Sequence, residues 1–135
     1  MGAWSEIIQG LWQGGDGASP VGQFDHVVSL CAWTDDLVPG PPGQTEWFIA
    51  DGPLPVDLDD IWEIAQDVSD RIDRGERVLV RCQMGLNRSG LLVAAVLLVR
   101  GWEPSDAIHR IRSRRGVHAL SNPYFEEWLL GAPWR

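Results

Sequence analysis

Apolar positions fall at strand spacing in the first part of this chain and at helical spacing from Asp57 onward. Residues 4 to 15 read as a first short strand or hairpin with Ile7, Leu11 and Trp12 as buriable positions, and Gly14-Gly15 with Asp16 to Pro20 mark a loop. Phe24 to Leu30 is β-branched and apolar, which predicts a central strand ending near Cys31. Asp35 to Gln44, dense in proline and glycine, predicts an exposed loop. Trp47 to Ala50 follows as another short strand, broken by Asp51-Gly52-Pro53. Leu58, Ile61, Trp62, Ala65, Val68 and Ile72 then share a helix face, with Asp57 as N-cap and Gly75 as the stop. Val78-Leu79-Val80 is a short apolar strand, and Ser89 to Arg100 is a helix apolar on every side, hence buried. Glu103 to Arg114 predicts a helix with Pro104 in its first turn. Asn122 to Leu130 predicts the last helix, capped by Asn122, with Phe125, Trp128 and Leu129 turned inward. Strands interleaved with helices predict an α/β fold, a small, mostly parallel central sheet flanked by helices, as one domain over residues 1–135.

The stretch from Val78 to Gly90 carries the candidate chemistry. It runs strand, Cys82, a five-residue loop centred on Gly85, Arg88, Ser89, and then the buried helix. Loop amides and a helix N-terminus together form a ready anion site. A thiol at one edge and a guanidinium at the other add a nucleophile and a clamp for a phosphoryl group.

Composition narrows the partners. A net charge of −8 and a pI near 4.7 argue against nucleic acid or an anionic membrane surface. All 11 cations are arginines. Two cysteines 51 residues apart make neither a disulfide framework nor a metal site, which predicts a reducing, cytoplasmic setting. His26, His109 and His118 have no ligand-like spacing, so neither metal nor cofactor is expected. The longest apolar run, Leu91 to Val99, is nine residues, short of the ~20 a spanning helix needs. Neither a signal peptide nor a myristoylation site is expected at the start.

Cys82, Gln83, Met84, Gly85, Leu86, Asn87, Arg88, Ser89 resembles the loop of the cysteine-dependent protein tyrosine phosphatase superfamily, in its small dual-specificity branch: His-Cys, five residues, Arg, then Ser or Thr. Ile8-Gln-Gly-Leu-Trp-Gln-Gly14 is similar to that family's opening strand, Asp51 falls where its general-acid loop lies, and Arg115 with Asn122-Pro-Tyr-Phe125 resembles its late Arg…Asn-x-x-Phe segment. The resemblance implies a phosphomonoester hydrolase, a monomer, acting through a phosphocysteine on Cys82. Phosphotyrosine- or phosphoserine/threonine-containing proteins are the implied substrates, and the lysine-free loop argues against highly phosphorylated inositol lipids.

The residues fit those roles physically. A helix N-terminus and a neighbouring arginine favour a thiolate at Cys82, and Arg88 offers a planar fork to two phosphoryl oxygens. The amides of Gln83, Met84, Gly85, Leu86, Asn87 and Arg88 supply preorganised donors. Ser89 Oγ can hydrogen-bond the thiolate. Asp51 is the preferred general acid and base and Asp57 the rival, which is better explained as a helix cap.

Three features stand apart. Arg81 occupies the place of the family's histidine, either acting on the thiolate or serving in a surface ion pair. Cys31 is either a small packed thiol or the resolving partner of an oxidised Cys82. Arg110, Arg112, Arg114 and Arg115 read as a solvated helix face paired with the excess carboxylates, with Arg115 partly structural. Trp33 and Trp47 read as core packing residues first and, of the tryptophans, as those nearest a substrate. The alternative to an enzyme is a pseudophosphatase, binding phosphoprotein without turnover.

Overall fold

The computed structural model describes residues 2–15, 18–20, 22–31, 43–53 and 58–132. Five strands make one sheet: β1 (Trp4–Ile8), β2 (Leu11–Gly14), β3 (His26–Ser29), β4 (Gly43–Glu46) and β5 (Val78–Arg81), in the order β1-β2-β5-β3-β4. Only β1 and β2 are antiparallel, joined through Gly10; the other three pairings are parallel. The expected mostly parallel α/β sheet is therefore present, with β5 at its centre.

Strand residues alternate between two apolar layers, as the pleat requires. Ile7, Leu11, Val28, Val78 and Val80 join one core, together with the buried residues of the helices α1 (Asp60–Asp73), α2 (Arg88–Val99), α3 (Pro104–Arg115) and α4 (Pro123–Leu130). Val27 and Leu79 face the other way, onto Phe24, Trp4 and Trp12. Both indoles meet the Phe24 ring edge-on, at centroid distances of 5.0 Å for Trp4 and 5.9 Å for Trp12.

α1 presents Ile61, Ala65 and Val68 to the core. Gly75, at φ +86°, closes the helix: its N–H reaches Ile72 O, and the Glu76 N–H reaches Arg71 O. Two of the last carbonyls are thereby satisfied, and the positive φ is what glycine supplies. α2 is buried at ten of its twelve positions, so the helix that follows the cysteine loop is the axis of the core. Each fully buried leucine or valine there contributes roughly 1.5–3 kcal/mol. α4 begins as its sequence predicts, with Asn122 Oδ1 accepting from the Tyr124 and Phe125 amides.

Three local expectations change. The fourth strand is Gly43–Glu46, earlier than Trp47 to Ala50, and Gly43 and Gln44 belong to it rather than to a loop. β3 dictates this register, pairing His26 with Gly43 and Ser29 with Glu46, whereas the apolar residues lie beyond the ladder and add only Trp47 N to Ser29 O and Ile49 N to Leu30 O. Gly14 ends β2 instead of opening a loop, opposite Arg81. α1 starts at Asp60 with Asp59 in the N-cap position, so Leu58 precedes the helix. Asp57 and Trp33 lie outside the described residues. No helix among the described residues is long and apolar enough to cross a membrane.

Candidate active site

Three parallel strands end side by side, with Gly14, Arg81 and Ser29 in one row across β2, β5 and β3. The segment leaving β5 at this carboxyl edge is the cysteine loop, at the place where open α/β sheets gather ligands. Cys82 is 2% exposed. Its sulfur lies 3.3 Å from the Ser89 backbone N and 3.3 Å from Ser89 Oγ. The first turn of α2 is thus wrapped around the sulfur, the arrangement that favours negative charge.

The loop carbonyls are turned back into the protein. Gly85 O accepts from Gln13 Nε2 and from Arg115 Nε, Leu86 O from the Leu120 amide, and Asn87 O from the Leu91 amide. The amides of Met84 to Arg88 donate to no group among the described residues, so carbonyl anchoring leaves these N–H groups without a partner there. Gly85 makes the turn possible at φ +72°; a Cβ there would lie 2.4 Å from Gly14 C and 2.6 Å from Gly15 N. Arg88 is half-buried, and its Nε–H is buried with no hydrogen-bond partner among the described residues.

Asp51 stands exposed at the rim, yet its carboxylate is held at both oxygens. Asn87 Nδ2 donates to Oδ2 at 3.1 Å, and Asn122 Nδ2 to Oδ1 at 2.8 Å. Asn87 Oδ1 in turn accepts from the Asn122 backbone N–H at 3.0 Å. A loop side chain and a helix cap therefore bring the carboxylate to the cysteine loop.

Residues 56–132 match the family model described as dual specificity phosphatase, catalytic domain. The chain belongs to the dual-specificity phosphatase family. Protein 123R of Invertebrate iridescent virus 6, named for tyrosine phosphatase activity, is 26% identical over 114 residues, 78% of each chain. The fold is similar to human DUSP28, with a TM-score of 0.83 at 21% identity, covering 97% of this chain and 93% of that one. It is also similar to a mouse dual specificity phosphatase-type protein crystallised with zinc tungstate, with a TM-score of 0.82 at 19% identity, covering 96% and 85%.

Within this phosphatase domain the expected loop residues, Cys82 to Ser89, come together with Asp51. Arg81 corrects an expectation of a surface side chain: it is 1% exposed, with Nε donating to Ser29 Oγ at 3.0 Å. The reason is register, since the last row of the parallel ladder sets Arg81 beside Ser29. Cys31 follows β3 and lies close to the loop. Burial pushes its thiol up from its ordinary value, opposed chiefly by the nearby Arg88 guanidinium.

The arginine-rich α3 also differs from its expectation. Only Arg114 of the four is exposed. Arg115, 4% exposed, donates to Gly85 O, Met84 O, Gly2 O and Ser5 Oγ. Arg112 reaches Ala119 O, Leu120 O and Glu126, and Arg110 reaches Ile7 O while lying 5.3 Å over the Trp102 ring. Carbonyl acceptors from distant segments, invisible in sequence, draw these side chains in. Trp47 is half-buried against the main core and is a packing residue.

Two side-chain contacts at the site were not read from the sequence, Asn87 having been expected there only for its backbone amide. Gln13 is a fully buried amide under the loop, and Asn87 ties the loop to Asp51 across 36 positions. The spacing that puts Gln13 on the same strand face as Leu11 could have marked it as inward-facing, though not as a polar contact.

Proposed function

We propose that this domain hydrolyses phosphomonoesters through a phosphocysteine, with protein phosphotyrosine as its natural substrate class. The observation that carries the reading is the convergence at one helix N-terminus: Cys82 Sγ lies 3.3 Å from both the backbone N and the Oγ of Ser89, beside an Arg88 whose Nε–H has no hydrogen-bond partner among the described residues.

In the first step the Cys82 thiolate attacks phosphorus, the P–O bond to the leaving group breaks, and Asp51 gives its proton to the departing oxygen. Arg88 and the loop amides hold the three phosphoryl oxygens as charge spreads over them. In the second, water attacks phosphorus, its proton passes to the Asp51 carboxylate, and the P–S bond breaks to return the thiolate. The products are the free hydroxyl compound and inorganic phosphate. Ser89 Oγ donates to the emerging sulfur anion. Met84, 65% exposed on the loop, offers a thioether to an aromatic leaving group. Of the arginines near the loop, Arg115 is turned to protein acceptors, which leaves little positive surface for a polyphosphorylated ligand.

Hydrolysis of p-nitrophenyl phosphate, compared with Cys82→Ser, tests this. Turnover abolished by the serine, with a phosphate-labelled Cys82 peptide recovered after acid quench, is the expected result. No turnover in either protein, with phosphotyrosyl peptide still bound, would overturn it in favour of a phosphoprotein-binding module. A phosphotyrosyl, phosphoseryl and phosphoinositide panel then orders the substrates.

A further inference from the structure

Gln13 occupies a core position of β2, fully buried, yet carries an amide. Its Nε2 lies 3.1 Å from Gly85 O, 3.4 Å from Leu86 O and 3.3 Å from Ser89 Oγ. Two carbonyl oxygens can only accept, so the nitrogen end of the amide must be the one facing the loop. The other end, Oε1, is buried without a partner among the described residues. An unsatisfied buried carbonyl is unfavourable, and an apolar side chain of this volume would avoid it. Anchoring the loop does not by itself require the amide, because Arg115 already holds Gly85 O.

Ser89 Oγ explains what the amide adds. Its hydrogen-bonding neighbours among the described residues are Gln13 Nε2 and Cys82 Sγ. Nε2 has no lone pair to offer, so it takes one lone pair of the hydroxyl; once Cys82 is the thiolate and has no proton to give, the sulfur is left as the acceptor for the hydroxyl proton. We propose that Gln13 is a positioning residue that turns the Ser89 hydroxyl proton onto Cys82 Sγ. A donor aimed at a thiolate favours the charged form, and a second bond into the hydroxyl oxygen strengthens that donor. The catalytic consequence rests on the phosphatase reading above. The chemistry at the sulfur does not.

Gln13→Leu removes the donor at similar volume, and Gln13→Met, unbranched and adaptable, is the second variant should the leucine protein fail to fold. The assay is alkylation of Cys82 by iodoacetate below neutral pH, followed by peptide mass so that Cys31 is counted separately. Loss of the donor is expected to slow alkylation about three- to tenfold, and Ser89→Ala by a similar factor. The double variant is expected to be no slower than Ser89→Ala alone, since Gln13 acts through that hydroxyl. A side chain that only packs would slow the reaction equally in both backgrounds. That result, or alkylation at the wild-type rate in a folded Gln13 variant, overturns the proposal. Alkylation needs no turnover, so an inactive wild-type protein would end the phosphatase reading alone, and multiplying effects in an active one would end this proposal alone.

Discussion

Asn122 performs two separable tasks with one amide, and two substitutions pull them apart. Its Oδ1 caps α4 through the Tyr124 and Phe125 N–H groups, while its Nδ2 holds Asp51 Oδ1 and Gly52 O. Asn122→Ala removes both tasks. Loss of the cap destabilises by about 1 kcal/mol, a drop in Tm of roughly 3–6 °C for a chain this size. Asn122→Asp keeps the capping oxygen and gains a charge at a helix N-terminus worth about 0.3–1 kcal/mol. It also sets a carboxylate against Asp51, a repulsion of about 1.4 kcal/mol for unit charges roughly 3 Å apart in water. These offset in part, leaving a net loss of about 0.4–1.1 kcal/mol, so its Tm is expected within a few degrees of wild type. Turnover behaves differently, because both variants lose the donor to Asp51. On phosphate esters with weakly acidic leaving groups, which need the proton most, rates are expected to fall about tenfold for alanine and about a hundredfold for aspartate. On activated aryl phosphates the fall should be small. Thermal melts beside rates across a leaving-group series read both tasks. If Asn122→Asp melts as low as Asn122→Ala, or rates fall equally along the series, the division of labour argued from these contacts is wrong.

Three further outcomes are expected. Arg115→Met leaves Met84 O and Gly2 O without their donor inside the protein, and should lower stability by about 2–4 kcal/mol and weaken inorganic phosphate protection of Cys82 against alkylation; an unchanged melt and unchanged protection would refute the anchoring role. His26 is buried against Thr45 Oγ1 at 2.8 Å, and burial lowers its pKa from the ordinary histidine value of about 6.5. The unfolded chain therefore binds the proton first, so stability is full above about pH 6.5, falls as the pH drops below it, and levels off beneath the folded-state value; His26→Gln should flatten that acid limb, and an unchanged limb would assign it to other groups. Peroxide should convert Cys82 to a sulfenic acid, and condensation with the Cys31 thiol would release water and form a disulfide. Because burial raises the Cys31 pKa, recovery of the 31–82 linked peptide is expected to be slow and faster in alkali, and its absence at high pH would leave Cys31 a packing residue.

What the sequence disclosed tracks how local each signal is. The Cys82 loop, the all-apolar α2, the Asn122-Pro123 cap and the Gly75 stop were all legible because each is written within a few neighbouring residues. β4 was misplaced because Gly43-Gln-Thr-Glu46 is a polar edge strand that exists by pairing with β3, while the apolar Trp47 to Ala50 drew the assignment onward. Arg115 could not be told from Arg114 by composition. What separates them is that α3 turns one toward the carbonyls of the cysteine loop and the other toward solvent. Arg81 looked like a strand-end surface residue because the row of β2, β5 and β3 that buries it is assembled from three distant segments.

The burial of α2 has a consequence in exchange kinetics. With ten of twelve residues shut away from solvent, its backbone amides beyond the first turn can meet deuterium only when the whole core opens. The cysteine loop is thus grafted to the slowest-exchanging segment of the molecule, while the Asp51 carboxylate hangs from side-chain contacts at an exposed rim. Deuterium uptake should divide the site in two, with the helix behind the nucleophile exchanging at the rate of global unfolding and the segment bearing Asp51 exchanging through local openings. The loop and the Asp51 carboxylate then answer to different free energies, and in the proposed reaction a destabilising change at the rim is expected to slow turnover without loosening the grip on phosphate.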